Sequence, residues 1–147
     1  MSRRSSIVQS LVDIINTNFV SDSTIYSTDI SNNAYAKLKF WDEVRDFPCI
    51  YVTPGSESRE YLPAEFKWGY LALSIKVYTK GEEPHVQLES ILEDLEKLVD
   101  NNETLVYDST NNYQTTEILI ASITTDEGLL APYGVAEMNL QVRYAIM

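Results

Sequence analysis

Two hydrophobic periods divide this chain. Between Ile7 and Phe19, and again between Pro84 and Asp100, apolar residues recur every third or fourth position. Along Trp68–Thr79 and from Tyr133 to the last residue, Met147, they alternate with polar ones. The first spacing lines one face of a helix and the second lines one face of a strand. The first helix reads from about Ile7 to Asn18, with Ser5 or Ser6 as its cap. Ile7, Leu11, Ile14, Ile15 and Asn18 fall on or near one face, and Val8, Val12 and Phe19 widen it. A stripe that wide buries against a sheet. In the second helix, Pro84 to Asp100, the apolar face is Leu88, Ile91, Leu92, Leu95, Leu98 and Val99, with Glu89, Glu93, Glu96 and Lys97 opposite. Pro84 suits its first turn, Glu82 and Glu83 suit its positive end, and Asn101-Asn102 ends it.

Leu71, Leu73, Ile75 and Val77 share one side of the Trp68–Thr79 strand, opposite Tyr70, Ser74, Lys76 and Tyr78. In the final strand Ala136, Met138, Leu140, Val142, Tyr144 and Ile146 oppose Glu137, Asn139, Gln141 and Arg143. Cys49–Thr53 is a short strand that Pro54-Gly55 closes as a turn, and Thr116–Thr125 is another strand. Thr104–Tyr107 is a short strand candidate, and Asp108–Tyr113 reads as a turn. Residues 20–36, rich in Ser, Thr, Asp and Asn, read as a long loop or a short irregular strand, and such loops are often functional. Lys37–Phe47 has no clear period. Ser56–Lys67 reads as a polar excursion, the oversized tip of a hairpin. Asp126-Glu127-Gly128 forms an acidic turn, followed by the apolar Leu129-Leu130-Ala131-Pro132, although turns between strands are ordinarily polar. The order is helix, two strands, helix, then two or three strands. It predicts one α/β domain of the α+β type over residues 1–147, with two helices on one face of a mainly antiparallel sheet of about four to five strands.

Composition narrows the function. A chain of 147 residues buries a core without disulfides or metals, and its single cysteine, Cys49, excludes an internal bridge. Net charge is −11, which argues against a nucleic-acid groove and against an anionic membrane surface. The acids concentrate in residues 81–103, which hold eight of them against one Lys. No apolar run approaches a membrane span or a signal-peptide core, so the expectation is a soluble protein of the cytoplasm.

Candidate chemistry is sparse. Asp126 and Glu127 are adjacent on extended chain and point apart, so a turn-forming Asp beside a solvated or ion-paired Glu outweighs a shared-proton pair. His85 and Glu89 have an i, i+4 spacing that chelates weakly, without a third ligand at a recognisable spacing, and an exposed first-turn histidine is the preferred reading. Cys49 lies in an apolar run where thiols are inert, and nothing orients it toward His85. With five glycines there is no phosphate-cradling loop, and no serine sits in a nucleophile elbow. No catalytic residue, cofactor or metal is expected.

Two stretches remain, Arg59–Trp68 and Leu129–Tyr133, where apolar and aromatic groups sit on predicted connections. Such groups either fold back onto their own core or become buried against another chain. The interface candidates are Arg59, Tyr61, Leu62, Phe66, Trp68, Asp126, Glu127, Leu129, Leu130, Pro132 and Tyr133.

At these residues the sequence resembles a family. DFPCIYVTPGSESREYLPAEFKWGYLALSIKVYTKGEE, the acidic leucine helix HVQLESILEDLEKLVDNN and ITTDEGLLAPYGVAEMNLQVRY are similar to the tail terminator (tail completion) proteins of long-tailed bacteriophages. The resemblance follows the element order of the whole chain and is most specific in Phe47–Gly55, Arg59–Thr79 and Asp126–Tyr144. It implies helices packed on an antiparallel sheet and subunits closing into a hexameric ring at the head-proximal end of the tail tube; a subunit of this kind is expected to stay monomeric until it meets the tube, because a ring that closes freely would jam assembly. It also implies an end to tube polymerisation and a surface joining the head. The implied partners are other copies of the chain, the tail tube protein and head–neck connector proteins, with DNA passing through the lumen without specific binding and no membrane. The implied location is the virion tail, assembled in the host cytoplasm, and the family has no catalytic residues. The alternatives are another neck or tail subunit, or an injection-device component of the same fold, and an enzyme using Asp126, Glu127 or His85.

Overall fold

The computed structural model describes residues 1–146; Met147, to which the alternating pattern of the sequence extends, lies outside the described residues. The elements are α1 (Arg3–Asn18), β1 (Ala34–Tyr35), a 3-10 turn (Trp41–Glu43), β2 (Cys49–Leu62), β3 (Phe66–Lys80), α2 (Pro84–Asp100), β4 (Val106–Asp108), β5 (Tyr113–Thr125) and β6 (Tyr133–Ile146).

The sheet is organised on β3 and β6, which pair antiparallel without a slip from Lys67↔Ile146 to Lys80↔Tyr133. Both strands alternate apolar and polar residues, so the pairing brings their apolar sides together: Leu71 with Val142, Leu73 with Leu140, Ile75 with Met138 and Val77 with Ala136. A one-residue slip would turn one whole set toward solvent, which is why this register is strongly specified. The strands are ordered β1-β2-β3-β6-β5-β4. All neighbours are antiparallel except β1 and β2. The sheet is therefore six-stranded and mixed, against the expected four to five mainly antiparallel strands. The difference comes from β1 and β4, whose two and three residues are too few to show a period.

Both helices pack on the apolar side of this sheet. Ile7, Val8, Leu11, Val12 and Ile15 of α1 and Leu88, Ile91, Leu92, Leu95, Leu98 and Val99 of α2 join Ile50, Val52 and the inward residues of β3 and β6 in one buried cluster. Each such side chain contributes about 1.5–3 kcal/mol when fully buried. The α2 helix lies over β3, β6 and β5, whereas α1 touches β1 and β2 near one end of the sheet and β4 at the other. A single helix reaches both ends because the sheet curls around it. The α1 helix begins earlier than Ser5 or Ser6 suggests. Ser2 is the cap, its hydroxyl accepting from the Ser5 N–H at 3.1 Å, and Ser5 and Ser6 are themselves helical.

The Ser56–Lys67 excursion is not an oversized tip. It is strand on both arms, paired from Glu57↔Leu71 to Leu62↔Phe66, and only Pro63, Ala64 and Glu65 turn. Ala64 and Glu65 take positive φ there. Pro54-Gly55 does not close a turn either; β2 runs through it with a bulge between Pro54 and Glu57. Pro54 is tolerated because β1 covers β2 only at Ile50 and Tyr51, so the missing N–H falls on an open edge.

The 20–36 segment serves the core. Tyr26 and Ile30 are buried in the main cluster, and Ala34-Tyr35 becomes β1. Its anchor is Asp94, a carboxylate on the apolar side of α2 that is 4% exposed. Asp94 accepts from the Thr28 N–H at 2.9 Å, the Thr28 hydroxyl and the Ser27 hydroxyl. Residues 36–48 cross to the opposite face of the sheet. There Val44, Cys49, Tyr51 and Tyr78 form a second buried cluster, flanked by Tyr35, Trp41, Phe47 and Val135.

Candidate interaction surfaces

The structure sorts the predicted interface residues into three groups. The first is the end of the β2–β3 hairpin. Tyr61 is 69% exposed and Leu62 39%, so neither folds back onto the core. Phe66 and Trp68 meet edge to face with ring centroids 4.9 Å apart, and the Arg143 guanidinium lies 4.6 Å from the Trp68 ring centroid. Arg59 holds Glu57 at 2.8 Å. Glu57 also accepts from the Tyr144 hydroxyl, tying the edge strand to β6.

The second group is the acidic turn. Asp126 accepts from the Leu130 N–H at 3.0 Å and the Val135 N–H at 3.2 Å, and its own N–H donates to the Val135 carbonyl at 2.9 Å. Its carboxylate therefore shapes the loop. Glu127 and Gly128 follow with positive φ, and the Glu127 side chain is exposed.

The third group is the apolar connection, and it divides. Tyr133 packs on its own chain, its ring centroid 5.2 Å from that of Trp41 and 5.8 Å from that of Phe47, with Lys80 Nζ 5.2 Å away. Leu130 is half-buried and Pro132 is exposed. Leu129 is 84% exposed, an apolar side chain held in solvent by an ordered turn.

The remaining candidates for chemistry are His85, Glu89 and Cys49. His85, Glu89, Asp126 and Glu127 share the lining of an open recess of about 330 Å³. Even so, the described residues contain no group of three or more His, Cys, Asp or Glu placed to hold a metal ion. Cys49 is buried, and desolvation, with the Asp46 carboxylate adding to it, pushes its thiol up to about 12. That proton is held far too firmly for a nucleophile at neutral pH. Sequence reasoning passed over Asp94 and Glu57. Asp94 had a legible signal, since it falls between Ile91 and Leu95 on the buried side of α2. Glu57 had none, because only the bulge turns it inward toward Tyr144.

The surface thus offers exposed apolar groups on ordered backbone. The comparisons agree in kind. The model of the Bacteriophage Tail Tube Terminator Protein family matches residues 1–147. The chain belongs to this family. A curated relative, the tail tube terminator protein p142 of Escherichia phage T5, is 37% identical over 152 residues, spanning 98% of this chain and 94% of the relative. A chain from the virion of a native gene transfer agent particle shares the fold at a TM-score of 0.55 and 10% identity, covering 78% of this chain and 79% of that one. This terminator-family chain is a structural protein of the phage tail, as the resemblance implied. Among its described residues no helix is long and apolar enough to cross a membrane.

Proposed function

We propose that the chain closes into a ring on the head-proximal end of the tail tube, ends tube polymerisation there and presents the surface to which the head-side connector proteins bind. Family membership over the full chain carries this reading. The structure supports it by its economy. Both helices and most aliphatic residues are used up in one core, so exposed apolar groups such as Tyr61, Leu62 and Leu129 are free for neighbours.

The acidic surface has a place in the same reading. Glu89, Glu93 and Glu96 are exposed along α2. In a ring they repel DNA and let it slide through the lumen without sticking. A ring structure with these residues far from the axis and a basic lumen would remove this part. The function itself is tested by adding purified protein to polymerising tube subunits. Growth halts at a capped end if the chain is a terminator, whereas unchanged tube lengths favour a different neck or tail subunit.

A further inference from the structure

The sheet has two open edges, and they are built differently. On one side β1 covers β2 only at Ile50 and Tyr51. On the other, β4 pairs with β5 only at Tyr113 and Gln114. One further main-chain bond joins the Thr115 N–H to the Leu105 carbonyl at 2.9 Å. From Thr116 to Thr125, the described residues place no strand beside β5 other than β6. An open edge presents a row of unpaired N–H and C=O groups, a template for another strand.

The β2 edge carries the devices that ordinarily blunt such a template. They sit at the bulge, where Pro54 lacks an N–H and the Arg4 side chain donates to the Gly55 carbonyl; from Glu57 to Leu62 the strand pairs only with β3 and its outer side is uncovered. The β5 edge lacks most of them. Thr116–Thr125 contains no Pro, Lys or Arg and a single acid, Glu117, in a chain of net charge −11. Its register shifts, at Thr115/Glu117 and Ile120/Ser122, bend the strand without covering its outer side.

A second observation concerns apolar surface. Among the described residues, the large apolar side chains left exposed within strands are Tyr61 and Leu62 on β2, Val106 on β4, and Leu119 and Ile123 on β5. The central strands β3 and β6 have none. Exposed apolar area in the sheet is thus confined to its two margins. The faces correspond as well. Tyr61 pairs with Lys67 and Ile123 with Met138, both on the helix side, whereas Leu62 pairs with Phe66 and Leu119 with Gln141 on the outer side. A sheet continued from β5 of one copy to β2 of the next places Leu119 and Leu62 on one face, and Ile123 and Tyr61 on the other.

We propose that the occupant of the β5 edge is the β2 edge of a second copy of this chain, so that the sheet runs on from subunit to subunit. The contact is head to tail, using different surfaces on the two partners. Such a contact propagates and closes into a ring when its rotation permits. Main-chain hydrogen bonds supply the join, as in other strand additions, and the marginal apolar side chains set the register. This inference rests on the ring reading above.

The test uses cysteines at exposed outer-face positions: Ser58→Cys or Glu60→Cys on β2, and Leu119→Cys, Ser122→Cys or Thr124→Cys on β5. The native Cys49 is 1% exposed and stays silent. Proteins carrying one β2 cysteine are mixed with proteins carrying one β5 cysteine, assembled on tail tubes, oxidised and denatured. The expected result is a covalently linked pair of subunits from at least one mixture and from no singly substituted protein alone. Capped tubes with no β2–β5 disulfide in any mixture overturn the inference while leaving the ring reading intact. So does a β5–β5 disulfide from one variant. Failure of the wild-type chain to cap tubes removes the ring reading, and this inference with it. As a second measurement, Leu119→Lys with Thr124→Lys blunts the edge. This double variant is expected to melt with the wild type yet lose ring closure, and full capping by it counts against the proposal.

Discussion

The two faces of the sheet hold their covering segments by different means. On the inner face, α1 and α2 bring aliphatic side chains at helical spacing onto strands that alternate, and Ile7, Ile15, Ile75, Leu95, Met138 and Val142 are fully shielded. On the outer face, residues 36–48 form one turn of 3-10 helix and hold on through aromatic rings. Tyr35 and Tyr51 stack at 5.3 Å, Tyr51 and Tyr78 meet at 5.9 Å, and Tyr133 joins Trp41 and Phe47. The inner face stabilises the fold by buried area. The outer face uses fewer contacts, several of which carry a titratable proton.

That contrast breaks most visibly at high pH. Burial pushes Cys49 from an ordinary 9.0 to about 12, and Tyr51 and Tyr78 from 10.0 to about 12. Each folded-state value lies above the unfolded one, so the folded chain binds the proton more tightly. The stability this lends is complete below pH 9 and is lost as pH rises from about 9 to about 12. Because all three groups share the outer cluster, the 36–48 segment is expected to detach before the helices unfold. The inner face carries Tyr107 and Tyr144, also raised by burial, so the separation of the two events is what the experiment measures. Trp41 fluorescence, read in a Trp68→Phe background, is expected to change at lower pH than the helical circular dichroism. Coincident transitions would show the two faces to be one cooperative unit.

The same contrast sets the cost of truncation. Leu95 is completely buried, and Leu95→Ala is expected to destabilise by about 2–5 kcal/mol through lost burial and an unfilled cavity. Trp41 is half-buried and gives one ring pair with Tyr133. Trp41→Ala is expected to cost less, on the order of 0.5–1.5 kcal/mol for the ring contact plus its buried area. Urea denaturation of both variants gives the ranking, and equal losses would mean that the outer cluster is part of the main core.

The faces also differ in how far the sequence foretold them. Leu71–Val77 and Ala136–Ile146 announce the inner sides of β3 and β6, and the α2 leucines announce the helix that covers them, because burial repeats with the period of the backbone. Residues 36–48 follow no backbone period, and their ring contacts join positions as distant as Trp41 and Tyr133. Pro54-Gly55 misled because a turn dipeptide and an edge bulge share the same residues, and only the neighbouring strand decides between them. Asp94 looked like one more acid of an acidic helix until its partners, Ser27 and Thr28, were in place. Of the interface candidates, Leu129 and Tyr61 are exposed while Tyr133 packs inward, a division the sequence left open because it depends on rings from another segment.

Leu129 and Tyr133 stand four positions apart and divide between surface and patch, so a substitution at Leu129 sharpens the comparison with the smallest effect on stability. Leu129 is 84% exposed. Its N–H donates to the Asp126 carbonyl at 3.0 Å, a contact that needs no particular side chain. Leu129→Asp is therefore expected to alter stability by no more than about 0.5 kcal/mol, as exposed substitutions ordinarily do. Asp126→Lys makes a poor substitute, because it removes the acceptor of two loop N–H groups and disturbs the turn itself. If Leu129 meets a neighbour in the assembled tail, the Asp carboxylate becomes buried without a partner, and capping is expected to fail although the monomer melts as before. Tail lengths measured by electron microscopy check this. Wild-type lengths with Leu129→Asp would assign the exposed leucine to the turn alone and shift attention to the apolar side chains at the strand margins.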